Sequence, residues 1–288
     1  MNARWIAKKA ARQGLALSRW ASGSVSAERT VRRVLGSGAA VRALTYHRIG
    51  HEDREPFCVR PDVFEAHVRW LAERGLAASL DDVIGFVAGT RALPDGACLV
   101  TIDDGCESTL TEALPILARH RVPAVAFVTA SLVGLSVDAL PERYLDWDEL
   151  REIASSGVME IGSHAFTHRS LGAMPRPESR HEASESKRRL EDELGREVRS
   201  FAYPFGTRGD FDAFTERALA DAGYSIAFNS MHGAVRAGMD PISLPRIKVE
   251  GGEGLWMFER LADGAMDAWR VIDQNLWRLQ RVRQEIVG

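Results

Sequence analysis

Short apolar runs alternate with segments of helical pattern from residue 41 onward. The runs that predict buried strands cover residues 41–46, 97–102, 124–129, 158–161, 200–203 and 224–228. Between them, apolar side chains recur at helical spacing, as at Phe64, Val68 and Leu71. Asp146, followed three residues on by Glu149, is typical of a helix start. Strands that alternate with helices predict a parallel sheet, either open or closed into a barrel.

Two extensions with a different pattern flank this alternation. Residues 2–20 predict a helix with a charged side and an apolar side, and residues 21–26 predict a linker of small residues. The charged side holds Arg4, Lys8, Arg12 and Arg19, and the apolar side holds Trp5, Ile6, Ala10, Leu17 and Trp20. Residues 256–286 predict one long helix, whose apolar stripe is Trp269, Ile272, Leu276, Leu279 and Ile286. The pattern therefore divides the chain into an N-terminal extension (1–38), a central domain (39–250) and a C-terminal helical extension (251–288).

Composition and charge narrow the classes of function. Hydrophobic residues make up 45% of the chain and charged residues 27%, which is typical of a soluble globular protein. A net charge of -3 favours no nucleic-acid partner, although residues 1–42 carry nine basic residues and one acid. Cys58, Cys98 and Cys106 are an odd number without Cys-x-x-Cys spacing. They predict neither a disulfide framework nor a zinc ribbon, and they are compatible with a reducing compartment.

The same features bear on location. The N-terminal segment lacks the apolar core and the cleavage site of a secretory signal, and no stretch approaches the roughly 20 apolar residues that cross a bilayer. We therefore expect a cytoplasmic protein. The basic N-terminal helix and the tryptophan-bearing C-terminal helix could hold it at an anionic membrane face. Packing of both helices on the central domain is the equally open alternative.

Two groups of polar residues follow predicted strands. Asp103 and Asp104 come directly after an apolar run, and His164 and His168 come directly after another. In a parallel sheet such strand ends meet at one edge. One carboxylate and two imidazoles can bind a divalent metal with a position left for water, and the second carboxylate remains free as a base. Each group alone also fits a solvated turn or a surface histidine pair, so their shared position carries the prediction of a metal-assisted hydrolase.

Five strings, in the same order, resemble the polysaccharide deacetylase family, also called the NodB-homology or carbohydrate esterase family four domain. They are residues 101–105 (Thr-Ile-Asp-Asp-Gly), 164–168 (His-Ala-Phe-Thr-His), 201–206 (Phe-Ala-Tyr-Pro-Phe-Gly), 44–49 and 243–247. Ile102 stands where the family has Phe, and Ala165 where it has a hydroxyl residue. The resemblance covers residues 41–250. It implies a distorted (β/α) barrel of about seven parallel strands.

The resemblance also implies a role for each matched residue. The residues that would bind a divalent metal are Asp104, His164 and His168. Zinc is the first choice of metal, with cobalt, nickel and manganese as alternatives. Asp103 would be the general base, and the backbone N–H of Phe205 would stabilise the oxyanion. The rings of Tyr203 and Phe205 could lie against a sugar, although isolated aromatic residues more often belong to the core.

Two residues expected from the family are replaced. Many members have an Arg that orients the base where this chain has Ala202, and a His that protonates the leaving amine where it has Arg246. Both replacements fit the branch that acts on exopolysaccharide-type substrates. Arg246 is therefore the candidate for the orienting charge. His47, at the end of the first predicted strand, is the candidate for the acid, with a structural role as the alternative.

The function implied is metal-dependent hydrolysis of an N-acetyl group from an amino sugar. The substrate would be a surface polysaccharide or exopolysaccharide, or its lipid-linked precursor, so the partner is a carbohydrate or glycolipid. One alternative is a deformylase or deacylase of another amide-bearing glycolipid. A non-catalytic carbohydrate-binding barrel is the other. The four intact motif residues favour an enzyme, because binding alone does not need a free base beside a metal.

Overall fold

The strands of this protein form one parallel sheet of seven strands and one small sheet of two strands. The computed structural model describes residues 3–34, 38–52, 55–136 and 142–275. The strands in chain order are β1 (Arg42–Tyr46), β2 (Arg48–Ile49), β3 (Cys58–Val59), β4 (Cys98–Ile102), β5 (Ala124–Val128), β6 (Met159–Ser163), β7 (Ser200–Ala202), β8 (Ile226–Phe228) and β9 (Arg246–Lys248). Each of the six predicted runs overlaps one of these strands, and β6 extends two residues beyond its run.

The seven-stranded sheet curls into a nearly closed barrel. Its order is β8-β7-β6-β5-β4-β1-β9, and each pair of neighbours is parallel. The two edges approach at a bridge between Phe228, at the end of β8, and Leu244, just before β9. There the N–H of Asn229 donates to the carbonyl oxygen of Leu244 at 2.8 Å. The predicted (β/α) barrel is therefore confirmed.

Helices cover the outside of the barrel and extend beyond it. They are α1 (Ala3–Ala21), α2 (Ser24–Val34), α3 (Pro61–Glu73), α4 (Leu80–Val87), α5 (Leu114–His120), α6 (Trp147–Ser155), α7 (Arg176–Leu194), α8 (Ala213–Asp221), α9 (Leu255–Asp263) and α10 (Arg270–Asn275). The predicted start of α6 is confirmed, because the Asp146 carboxylate accepts the backbone N–H of Glu149 at 2.9 Å.

Alternate residues along the strands enter two separate buried clusters. On β4, Leu99 belongs to the cluster that includes Phe127 of β5 and Phe228 of β8, which fills the barrel. Val100 and Ile102 belong to the larger cluster under the helices. Because side chains alternate along a strand, Asp103, the next odd position after β4, faces the barrel interior rather than the helices.

The N-terminal helix packs on the domain through its charged side. Arg12 is fully buried, with its guanidinium 3.1 Å from Glu250 and 3.1 Å from Glu253. Lys8 lies 2.5 Å from Glu250. The apolar side chains on the opposite face are the exposed ones: Ile6, Leu17 and Trp20. The helix is therefore attached to the segment after β9 by buried ion pairs, and these charges do not face outward.

Two predictions about the extensions are wrong. The proposed linker over residues 21–26 is helical at both ends, because Ser22 and Gly23, the latter with φ of 70°, complete the turn and α2 begins at Ser24. The proposed helix over 256–286 breaks after α9, where Gly264 adopts φ of 88° and caps the helix. Leu276, Leu279 and Ile286 lie outside the described residues. In the described part of the chain, no helix combines the length and apolar character needed to cross a membrane.

Candidate active site

Both predicted metal motifs lie at one rim of the barrel. Asp103 and Asp104 follow β4, and His164 follows β6, with β5 between the two strands. The backbone at this rim adopts unusual conformations. Five described residues other than glycine have positive φ: Asp104, Ala165, His168 and Phe205 lie at the rim, and Arg121 lies at the end of α5. Such conformations cost about 1–3 kcal/mol each and persist where the surrounding structure imposes them.

Asp104, His164 and His168 form a compact ligand set. Oδ1 of Asp104 lies 3.5 Å from Nε2 of each histidine, and the ligand atoms of all three residues lie within 4.8 Å of one another. Ligands held about 2.1 Å from a tetrahedral zinc ion are separated by about 3.4 Å, so the measured distances fit such an ion. Two imidazole nitrogens and one carboxylate oxygen also leave a fourth position for water.

Neighbouring groups prepare the two imidazoles differently. Nδ1 of His164 lies 2.7 Å from the carbonyl oxygen of Ala202. Because a carbonyl only accepts, Nδ1 carries the proton and Nε2 keeps its lone pair for a metal. Burial lowers the pKa of His164 to about 4, so this ring is neutral at pH 7. Burial also acts to lower the pKa of His168, but the hydrogen bond to Asp104 raises it overall.

Asp103 is held by a buried arginine. Nη1 and Nη2 of Arg246 each lie 2.7 Å from one of its carboxylate oxygens, and both side chains are buried. The same guanidinium donates to Oγ1 of Thr101 at 3.2 Å and to the carbonyl oxygen of Asn229 at 3.1 Å. Arg246 therefore occupies the place predicted for the orienting charge that Ala202 cannot supply. Its role in catalysis stays a prediction.

The charges around Asp103 keep it ionised. Burial alone would raise the pKa of this carboxyl group, but Arg246 and the nearby His164 hold the pKa below its ordinary value. The carboxylate therefore carries its charge at neutral pH. With two of its four lone-pair directions used by Arg246, it can still accept a proton from water.

His47 lies at the same rim, directly after β1. Burial lowers its pKa, and the two carboxylates Asp104 and Asp103 oppose this effect only in part. Its ring lies beside the ring of Phe57, with centroids 4.8 Å apart. The imidazole is therefore neutral in the resting site and is a stronger acid than an ordinary histidine once it is protonated.

The two predicted sugar-binding aromatics have different environments. Phe205 is 36% exposed, and its ring centroid lies 5.0 Å from that of His168. Its backbone N–H donates to no acceptor within the described residues. The prediction for Tyr203 is wrong: the side chain is fully buried, stacks on Phe211 at 4.8 Å and donates to the carbonyl oxygen of Ile242 at 3.0 Å. The cause is alternation, since Tyr203 shares the outward side of β7 with Phe201.

Three residues that support the site were not among the predicted ones. Thr101 has a signal in the sequence, because it lies two positions before Asp103 and so faces the same side of β4. Asn229 contacts Arg246 through its backbone, which no side-chain motif can reveal. Glu182 lies in the polar helix α7, outside every motif, and its buried carboxylate contacts the loop between His164 and His168.

The chain is similar to known polysaccharide deacetylases in sequence and in fold. Residues 90–227 match the family model for polysaccharide deacetylase. YxkH of Bacillus subtilis (strain 168) is 24% identical over 217 residues, which are 74% of this chain and 73% of that protein. The poly-beta-1,6-N-acetyl-D-glucosamine N-deacetylase of Staphylococcus epidermidis is 23% identical over 230 residues, which are 72% of this chain and 78% of that enzyme.

A solved structure with a similar fold is IcaB from Ammonifex degensii. It superposes with a TM-score of 0.70 at 24% sequence identity, and the match covers 80% of this chain and 98% of that one. At this level of identity the likeness establishes the fold. The family match then assigns the two strand-end motifs to one known class of hydrolase.

Proposed function

We propose that this chain, which belongs to the polysaccharide deacetylase family, hydrolyses the N-acetyl group of an amino sugar with the help of a divalent metal. The proposal rests on one observation, which is that two neighbouring carboxylates have different partners. Asp104 faces two imidazoles at 3.5 Å, whereas Asp103 is bound by Arg246 at 2.7 Å. This division supports a metal-ligand role for one carboxylate and a base role for the other, which is the pair of roles that amide hydrolysis requires.

Asp104, His164 and His168 would hold the metal. A bound divalent ion supplies Lewis acidity, which polarises the acetamide carbonyl and lowers the pKa of water. Zinc is the metal we propose first, since two nitrogen ligands and one oxygen ligand at tetrahedral separations are typical of catalytic zinc sites. Cobalt, nickel and manganese are the alternatives for the same ligand set.

The protein's own groups account for the remaining steps. Asp103 removes a proton as water attacks the acetamide carbon, and Arg246 keeps this base ionised and fixes its direction. The backbone N–H of Phe205, which has no acceptor within the described residues, donates to the oxyanion that develops on the carbonyl oxygen. The leaving amine needs a proton, and we assign its delivery to His47 at the same rim, after this imidazole has taken up a proton from solvent.

The substrate we propose is a polymer or precursor that contains N-acetylglucosamine. The Staphylococcus epidermidis relative is named for poly-beta-1,6-N-acetyl-D-glucosamine, which motivates this class. The exposed ring of Phe205, beside His168, offers an apolar surface to one face of a pyranose. A lipid-linked precursor of such a polymer would present the same acetamide.

Mass spectrometry of a substrate panel tests the proposal. Zinc-loaded protein would be incubated with β-1,6- and β-1,4-linked N-acetylglucosamine oligomers, with their N-formyl analogues and with N-acetylated glycolipids. Loss of one acetyl mass from an oligomer, absent with Asp103→Asn protein, is the expected result. Reaction of the N-formyl compounds alone would favour a deformylase. Binding of the oligomers without loss of any acyl group would favour a carbohydrate-binding protein.

A further inference from the structure

We infer that Glu182 is a positioning residue that holds the loop bearing His168 in its metal-binding conformation and adds a buried negative charge beside the metal site. This inference rests on the metal site of the proposed function. Glu182 lies on the inner face of α7 and is 4% exposed. Its Oε2 accepts the backbone N–H groups of Phe166 at 2.9 Å and Thr167 at 2.8 Å, and its Oε1 accepts the Thr167 hydroxyl at 2.5 Å.

The loop that Glu182 contacts has a conformation that needs support. Ala165 and His168 both have positive φ, at 65° and 61°. A residue other than glycine with positive φ is about 1–3 kcal/mol less stable than in an ordinary backbone conformation, unless surrounding contacts stabilise it. The carbonyl oxygens of the same loop are bound by the segment after β5, where the N–H groups of Ala130 and Ser131 donate to Ala165 and Phe166 at 3.2 and 2.9 Å. Glu182 thus completes the hydrogen bonding of the loop from the α7 side.

The charge of Glu182 is not neutralised by a basic side chain. All three donors that it accepts from are neutral, and within the described ranges it forms no ion pair with Lys, Arg or His. A buried carboxylate without a cationic partner creates a negative potential that favours a cation close by. The charge of Glu182 acts on His168, which belongs with Asp104 and His164 to the ligand set that would hold such a cation. Metal binding therefore gains from Glu182 both in geometry and in charge.

Zinc affinity is the measurement that tests this role, because it does not depend on turnover. Glu182→Gln removes the charge, and it leaves one oxygen acceptor in a side chain of the same size. We expect zinc to bind about 10- to 100-fold more weakly to this variant, in competition with a chromophoric chelator. The matched control is Glu185→Gln on the same helix, whose carboxylate contacts Arg188 and not the loop. It should bind zinc like the unaltered protein.

The outcomes separate this inference from the proposed function. Equal zinc affinity in the unaltered protein and in folded Glu182→Gln protein overturns the role of Glu182 alone. Failure of the unaltered protein to bind zinc, cobalt, nickel or manganese overturns the proposed metal site itself. Circular dichroism and the melting temperature of the metal-free proteins establish whether each variant is folded.

A measurement on the unaltered protein keeps the inference testable if Glu182→Gln does not fold. Hydrogen exchange of the Phe166 and Thr167 amides would be followed in metal-free protein. We expect slow exchange, because both N–H groups are bound to a buried carboxylate before any metal is present. Fast exchange that slows only when zinc is added would show that the metal orders the loop, and would overturn the positioning role.

Discussion

Arg246 and Asp103 form a buried, two-pronged ion pair between β9 and β4, across the intervening strand β1. Each Nη atom of the arginine lies 2.7 Å from a different carboxylate oxygen. The planar guanidinium therefore fixes both the position and the plane of the carboxylate, which a single point charge could not do. Asp103 is adjacent to Asp104 of the proposed metal site, so this ion pair attaches the proposed base to the rest of the barrel.

Replacing Arg246 should change the pH dependence of the reaction. The arginine holds the pKa of Asp103 below its ordinary value, so its loss raises that pKa and leaves the base protonated up to a higher pH. We expect the acidic limb of the kcat/KM profile to move to higher pH in Arg246→Met, and less far in Arg246→Lys, which keeps the charge without the fork. Folded Arg246→Met protein with an unmoved acidic limb would contradict the orienting role.

Loss of His47 should have its largest effect on substrates whose leaving group is an amine. An amine needs a proton as it departs, whereas the phenolate of an aryl acetate does not. We therefore expect His47→Gln to lower the rate of N-deacetylation by about 100-fold and to affect hydrolysis of an aryl acetate much less. The zinc content should remain normal, since His47 is not one of the predicted ligands. Equal losses on both substrates would instead assign His47 a structural role.

The buried charges of α1 should make this helix part of the folded domain. Arg12 is fully buried against Glu250 and Glu253, so removing it leaves Glu253 without this partner and Glu250 with Lys8 alone. We expect Arg12→Met to lower the free energy of unfolding by about 3–5 kcal/mol, measured by urea denaturation. Arg19→Met, at a more exposed ion pair with Glu28, is the control and should cost less than about 1 kcal/mol. Equal stability of both variants would contradict the packing role.

The predicted contact with anionic membranes now requires a different face of α1. Its basic residues Lys8 and Arg12 are bound to Glu250, whereas Ile6 and Leu17 are exposed. We expect Ile6→Ser with Leu17→Ser to reduce binding to anionic vesicles in a sedimentation assay, without a change in zinc affinity. Vesicle binding that is unchanged by this double substitution, or that does not occur in the unaltered protein, would contradict a membrane role for α1.

The central site could be predicted because its determinants are local. Asp104, His164 and His168 lie in short strings directly after strands, and a parallel sheet brings strand ends to one rim. The orienting role of Arg246 could also be predicted from the sequence, since the chain has Ala202 where the family has an arginine and an orienting charge had to come from elsewhere. The choice between a sugar-binding role and a core position for Tyr203 could not be made, because a motif with aromatic residues does not show on which side of the strand each ring lies. The structure buries this side chain.

Long-range contacts set the limits of sequence-based prediction. The amphipathic pattern of α1 gave no indication that its charged side packs inward, because Arg12 finds its partners Glu250 and Glu253 more than 200 residues later in the chain. Glu182 is one of many acidic residues in α7, and only the fold shows that it faces the loop before His168. Arg12 and Glu182 are both buried charged residues, and the periodicity of a helix does not show which distant residue such a charge contacts.

Asp104 is proposed to bind the metal and Asp103 to act as the base. The turnover of metal-loaded Asp103→Asn protein tests this division of roles most directly. Acetate release from an N-acetylglucosamine oligomer would be measured per bound zinc ion, with Asp104→Asn as the matched control. We predict that Asp103→Asn retains its zinc and loses about 100-fold or more in kcat, whereas Asp104→Asn loses the zinc itself. Near-normal acetate release by zinc-loaded Asp103→Asn protein would contradict the account.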